Sequence, residues 1–265
     1  MKIPFTKCHA NGNDFILFMN TNFPEMFRRT SIIERLCDRH TGVGADGLFV
    51  ISPSKNCDYF LDYYNADGSW ETLCANGSRC VAFFMYKQGL VKKNISFQAG
   101  DGQHKSKILS GGSVSMSMRT PEYKTARISL GGSAGYFIDS GARHFVCESI
   151  TLNNDYVFNM GRKIRSDEMF QPQGINVNFY KVIDENCVEI KTYEKGIEQV
   201  VLSCASGSTA VVFHLSLCKV LKSPVTVWST GGNLIFKFDK DWKEPLVEGP
   251  AEILFSGEIN GDIFK

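Results

Sequence analysis

The sequence predicts an α+β protein built from two similar domains. Three observations predict it: many short strand-like runs divided by glycine turns, few helices, and a ten-residue pattern that returns 130 positions later (74 to 204). The size agrees, because 265 residues at about 150 per domain comes close to two.

Taken in order, Ile3 to Cys8, Phe15 to Met19, Leu48 to Ile51 and Tyr59 to Tyr64 carry the β-branched, aromatic or alternating composition of strands. Ser31 to Arg39 reads as a helix, with Ser31 as N-cap and Glu34 three residues on completing a capping box. Asn76 to Gln88 is a second helix, stopped by Gly89 and apolar on most sides through Val81, Ala82, Phe83, Phe84 and Met85. Strands Ile95 to Gln98 and Val114 to Met118 follow, with turns at Gly100-Asp101-Gly102 and Gly111-Gly112. Thr120-Pro121-Glu122 marks the expected boundary, giving domains at 1–120 and 121–249, the first completed by a C-terminal strand at about 250–265. The second domain holds a Gly131-Gly132 turn, strand Val188 to Tyr193, and a helix from Ser206 to Lys222 that ends before Pro224. This helix is apolar through Val211, Val212, Phe213, Leu215 and Leu217, and a helix apolar all round is a buried one. Val225 to Trp228 and Leu234 to Phe238 flank Gly231-Gly232-Asn233, and Ile253 to Phe255 is the last strand.

Composition excludes several functions. Twenty-nine basic and 28 acidic residues nearly cancel, so there is no broad cationic footprint for nucleic acid. The longest apolar run, Cys80 to Tyr86, is seven residues against the ~20 a spanning helix needs, and Met1 to Lys7 leaves no room for an export signal. A soluble cytoplasmic protein with no membrane partner is expected. Nine cysteines without a Cys-x-x-Cys pair, and five scattered histidines, point to free thiols in a reducing compartment and to no metal site. Cys8, Cys37, Cys57, Cys80, Cys147, Cys187 and Cys218 read as packing residues. Gly42-Val43-Gly44-Ala45-Asp46-Gly47 fits a dinucleotide pattern, but a helix precedes it and a strand follows, the reverse of what that fingerprint requires.

The repeat singles out the remaining two cysteines. Cys74-Ala75-Asn76-Gly77-Ser78-Arg79-Cys80-Val81-Ala82-Phe83 lies over Cys204-Ala205-Ser206-Gly207-Ser208-Thr209-Ala210-Val211-Val212-Phe213, with Cys, Ala, Gly, Ser, Val and Phe matched in place. Each copy sets a thiol immediately before an apolar helix. A helix N-terminus is expected to lower that thiol's pKa, and its free N–H groups can hold a carboxylate. Gly77 and Gly207 are expected to let the backbone approach a ligand closely. Two thiols serving opposite faces of one carbon is what inversion at an α-carbon requires: one thiolate takes a proton and the other thiol returns one.

At this point the chain resembles a known family, the diaminopimelate epimerases. The resemblance rests on Gly12-Asn13-Asp14-Phe15, Thr41 to Gly47, Asn65-Ala66-Asp67-Gly68-Ser69, Cys74 to Cys80, Gly174-Ile175-Asn176-Val177, Tyr193-Glu194-Lys195-Gly196 and Cys204-Ala205-Ser206-Gly207, in family order. It implies two pseudo-symmetric domains, each a mainly antiparallel β-sheet wrapped around a central buried helix. It also implies a cofactor-independent, usually homodimeric isomerase that converts LL-2,6-diaminopimelate to the meso form for lysine and peptidoglycan synthesis, its partner a small amino-acid substrate. Carried over, Cys74 is the base toward the LL substrate and Cys204 the acid. Ala75, Asn76, Ala205 and Ser206 hold the reacting α-carboxylate through backbone N–H groups. Asn13, Asn65 and Asn176 contact substrate, and Glu194 and His144 support the thiols and the α-amine.

The chain also departs from the family. Ala75 and Ala205 stand where the family has glycine, Ala142 replaces an asparagine expected at the substrate's distal end, and Lys195 replaces an arginine, keeping charge but losing the bidentate fork. The alternatives are a racemase of the same fold acting on a smaller amino acid such as glutamate or proline, a non-catalytic amino-acid-binding protein, and a thiol oxidoreductase.

Overall fold

The computed structural model describes residues 2–264, and the chain divides into two compact units. One runs to Met116 and resumes from Gly249; the other is Ser117–Glu248.

In the first unit, strand Lys2–Ala10 pairs antiparallel with Asn13–Met19 on one side and with Glu252–Asn260 on the other. Asn13–Met19 leads through helix α1 (Thr30–Cys37) to Gly47–Ser52, which lies parallel to it. Tyr59–Asn65 then pairs antiparallel with Gly47–Ser52. Asn94–Ala99 joins it in parallel, and Gly102–Ile108 and Ser113–Ser117 continue antiparallel. Helix α2 (Ala75–Lys87) packs on strands from both ends of this order, including Lys2–Ala10, Gly102–Ile108 and Glu252–Asn260.

The second unit repeats the plan. Ser133–Asp139 pairs antiparallel with Arg143–Glu148, which leads through helix α3 (Asn154–Arg165) to the parallel strand Asn176–Asp184. Cys187–Glu194 follows antiparallel, Val225–Ser229 joins it in parallel, and Gly232–Lys237 and Leu246–Pro250 complete the run. Helix α4 (Ala205–Leu217) packs on Arg143–Glu148, Asn176–Asp184, Cys187–Glu194 and Gly232–Lys237, with every residue from Gly207 to Leu215 buried. The duplication reaches strand register. Phe15 is opposite Gly47, and Phe145 is opposite Val177, each partner displaced by 130 (15 to 145, 47 to 177).

Several local expectations are corrected. Helix α1 starts at Thr30, where the Ile32 and Ile33 amides already bond to the Arg29 carbonyl, so Ser31 lies inside the first turn and no side-chain cap forms. Helix α4 ends at Leu217 rather than Lys222, because Lys219 turns into the left-handed region (φ 59°). Helix α3 is an addition. Its Asn153 side chain caps the Tyr156 amide at 2.8 Å, but only Val157, Gly161 and Ile164 are buried, so its apolar stripe is thin. Strand Gly102–Ile108 was also unforeseen, since it turns His104 and Ser106 inward where alternation looks for apolar residues.

Candidate functional site

The expected site residues gather at matching places in the two units, at strand ends around a helix start. In the first unit, Cys74 is the N-cap of α2 and has extended backbone (φ −127°, ψ 113°). Its thiol donates to the Asn13 side-chain carbonyl at 3.9 Å, and Asn76 Nδ2 donates to the same oxygen at 3.2 Å. Asn13 is held in that orientation because its Nδ2 donates to Asp46 at 2.8 Å. Asp46 is bound in turn by Arg39 at 2.8 Å, and Arg39 also grips both oxygens of Asp14, whose second partner is the buried Lys7 at 2.6 Å. Below the helix start, the fully buried Arg79 donates to Asn76 Oδ1 (2.9 Å), Asn11 Oδ1 (3.0 Å) and the Ala75 carbonyl (3.4 Å). Asn65 ends its strand held by Tyr63 (2.7 Å) and Ser69 (3.0 Å).

In the second unit, Cys204 is the N-cap of α4 with nearly the same backbone (φ −133°, ψ 103°). Its sulfur is 3.6 Å from Ser206 Oγ, and Ser206 is 3.0 Å from His144 Nε2. Ser140 Oγ pins the Ser206 carbonyl at 2.8 Å. Asn176 uses its side-chain oxygen to accept the Lys195 amide at 2.8 Å, which fixes the turn that follows Glu194. Ala142 sits in the turn before His144, its carbonyl accepting the Ser140 amide at 3.1 Å.

Two expectations about these helix starts change. The first concerns acidity. Cys204 is only 8% exposed, and burial pushes its thiol well above the ordinary range. The Glu194 charge adds to this, while the Ser206 hydroxyl and the Gly207 amide pull the other way. Desolvation outweighs the helix terminus here. The second concerns the glycines. A Cβ on Gly77 would run into the Phe49 ring, and one on Gly207 into the Asn178 side-chain oxygen, both far inside van der Waals contact. Packing beneath the helix start demands glycine at these two positions. Among the other cysteines, Cys37 and Cys147 are buried and pushed up to about 12, as packing thiols should be, whereas Cys218 is exposed.

A diaminopimelate epimerase from Aquifex aeolicus is 33% identical over 277 aligned residues, covering 98% of this chain and 99% of that protein. The chain belongs to the diaminopimelate epimerase family. The family model itself matches residues 5–124. A second diaminopimelate epimerase, from Flavobacterium psychrophilum, is 33% identical over 259 residues, 96% of this chain and 98% of that one. Among solved structures, a hydroxyproline epimerase from Agrobacterium vitis superposes with a TM-score of 0.79 at 14% identity, covering 98% of this chain and 93% of its own. A probable proline racemase from Agrobacterium radiobacter does so at 0.76 and 11%, over 98% and 93%. These two carry the fold, and it is the fold of diaminopimelate epimerases.

Sequence reasoning overlooked some members of each cluster. Asp46 and Arg79 orient Asn13 and Asn76, and Asn178, two residues after Asn176, reaches His144. A signal was present for Asn178: residues i and i+2 of a strand share a face, and an asparagine inside the buried run Asn176 to Tyr180 has to be bonded.

Proposed function

We propose that this protein is an isomerase that epimerises LL-2,6-diaminopimelate to the meso form without pyridoxal phosphate, with Cys74 as base and Cys204 as acid. The observation that carries the reading is the duplicated helix start, a cysteine as N-cap before each central helix, in a chain one-third identical to a diaminopimelate epimerase along almost its whole length. The Cys74 thiolate takes the α-proton, so the C–H bond breaks and its electron pair passes into the α-carboxylate. The Cys204 thiol then gives its proton to the opposite face of the same carbon. Backbone N–H groups of Ala75, Asn76, Ala205 and Ser206 hold the carboxylate, and they gain most where negative charge develops. The raised pKa of Cys204 suits this division: a buried Cys204 carries its proton at neutral pH and has one to give. Asn13, Asn65, Asn176, Glu194 and Lys195 complete recognition in this reading, with His144 in support. The reading includes a cytoplasmic homodimer, and nine cysteines outside any disulfide suit that compartment.

The test is chiral chromatography of LL-diaminopimelate incubated in deuterium oxide. Parent enzyme should yield the meso isomer with deuterium at the inverted carbon. Cys74→Ala and Cys204→Ala should each lose roughly 10²–10⁴-fold, the usual worth of a general acid or base. A Cys204→Ala enzyme that kept most of its epimerase rate would end the two-thiol reading.

A further inference from the structure

The hydrogen bonds behind Cys204 form a chain with one polarity. His144 is fully buried, and desolvation followed by the Lys195 charge lowers its pKa to about 3, so the ring is neutral and carries a single N–H. Its Nδ1 lies 3.1 Å from the side-chain amide of Asn178, itself fully buried. That amide has two orientations in principle, and the Phe145 backbone carbonyl decides between them. It lies 3.2 Å from Asn178 Nδ2, and a carbonyl only accepts. The amide nitrogen therefore faces both Phe145 O and His144 Nδ1, while its oxygen accepts from Thr192 Oγ1 at 2.9 Å. Nδ1 must accept, the ring proton is on Nε2, and Nε2 donates to Ser206 Oγ at 3.0 Å. A hydroxyl that accepts from His144 keeps its own proton for the sulfur 3.6 Å away.

We propose that Asn178 is a positioning residue: by fixing the His144 proton on Nε2 it turns the Ser206 hydroxyl toward Cys204, where it stabilises the thiolate left after proton donation. With the other tautomer, Nε2 would be an acceptor, would take the Ser206 proton, and would leave the sulfur facing oxygen lone pairs. Glu194 favours the protonated sulfur and the Ser206 hydroxyl the ionised one, so the two neighbours stabilise the two forms that a proton carrier alternates between. The groups around this chain are Glu194 and Lys195 at the end of Cys187–Glu194, His144 and Cys147 on Arg143–Glu148, and Thr192. Cys147 donates from its own sulfur to the Asn178 backbone carbonyl at 3.8 Å and does not reach the relay. The proposal rests on the reading of Cys204 as a proton carrier.

The first test needs no variant that could misfold. Long-range proton–nitrogen NMR on the parent protein, with the His144 signal assigned by its loss in His144→Gln, should show the neutral Nε2–H tautomer. An Nδ1–H tautomer overturns the proposal. The second test follows alkylation of Cys204 by iodoacetamide against pH, with peptide mapping. Asn178→Asp offers only acceptors to Nδ1, so it should transfer the ring proton there and raise the Cys204 midpoint by roughly half to one pH unit, the worth of one hydrogen bond. Ser206→Ala should raise it equally, and the double variant no further. A midpoint unmoved in Asn178→Asp but raised in Ser206→Ala overturns the role of Asn178. Because alkylation does not depend on turnover, a raised midpoint together with full epimerisation by Cys204→Ala would fault the proposed function and leave the relay standing.

Discussion

Gly77 provides a test in which two effects oppose each other. Replacing a glycine in the first turn of a helix by alanine stabilises by at most about 1 kcal/mol, because glycine loses more backbone freedom on folding. Here the new methyl would meet the edge of the Phe49 ring at Cε2 and Cζ. Phe49 is 1% exposed, stacks on Tyr63 (centroids 4.7 Å, 21° between planes) and meets Phe15 edge-on (5.3 Å, 75°), so it has nowhere to go. Overpacking of this kind costs about 1–3 kcal/mol. The clash wins, and Gly77→Ala should be destabilised by about 0.5–2 kcal/mol net. Phe49→Leu removes the obstructing ring edge, so the double variant should recover part of the loss, with a coupling of about 1 kcal/mol in the cycle. Urea unfolding followed by circular dichroism measures this as a lower midpoint at unchanged slope. A Gly77→Ala protein more stable than the parent, or one whose effect simply adds to that of Phe49→Leu, would refute the packing account. A raised KM at full stability would restore the idea that this glycine makes room for a ligand.

Three further outcomes are expected. Burial raises the Asp14 carboxyl, but Arg39 and Lys7 overcome it and leave it at about 2, below the unfolded 3.8; stability from this group is therefore present above pH ~4 and lost as pH falls toward 2. Asp14→Asn should remove that part of the acid limb, about 1 kcal/mol once solvent screening is allowed for, as read from urea midpoints between pH 5 and 2.5. With iodoacetamide at pH 7.5, peptide mapping should find exposed Cys218 modified well before Cys204, whose burial keeps it protonated; the reverse order would contradict that protonation. If Ala142 and Lys195 stand at the substrate's distal end, as the resemblance implies, they offer less hydrogen bonding there, so slow α-deuteration of L-glutamate should accompany the main activity, and Ala142→Asn with Lys195→Arg should suppress it more than diaminopimelate turnover; no exchange into glutamate after exhaustive incubation would refute this.

What could be read from the sequence follows from how locally each feature is encoded. The two central helices, their cysteines and their apolar bodies lie in contiguous text, and so did the repeat that implied duplication. Asn13, Asn76 and Cys74 were nameable through motif resemblance, yet their mutual orientation depends on Asp46, 33 residues from Asn13, and on Arg79 bonding back to Asn11. Asn178 reaches His144 across a strand pair that is parallel and joined by a helix the composition hid. The packing reason for Gly77 and Gly207 was illegible for the same cause: a glycine shows that room is needed, and only the fold shows that Phe49 and Asn178 need it.

The two helix starts share backbone and differ in charge. Five positions after Cys74 stands Arg79, fully buried and, among the described residues, bonded to neutral oxygens without a carboxylate. Burial draws its pKa down to about 10, and negative charge at Cys80 or Cys74 would raise it. The same position after Cys204 is Thr209, a neutral residue that keeps only the bond to the helix's first carbonyl, Ala205 O at 2.8 Å. Glu194 supplies the opposite sign there. A buried guanidinium without a carboxylate is costly even when hydrogen-bonded, and a simple structural bond to a helix carbonyl does not require one, as Thr209 demonstrates. Duplication alone would have left two equivalent thiols. A reaction in which one sulfur must start without a proton and the other with one calls for unlike surroundings, and the positive charge at the first start and the negative charge at the second are of the signs that the proposed roles of Cys74 and Cys204 require.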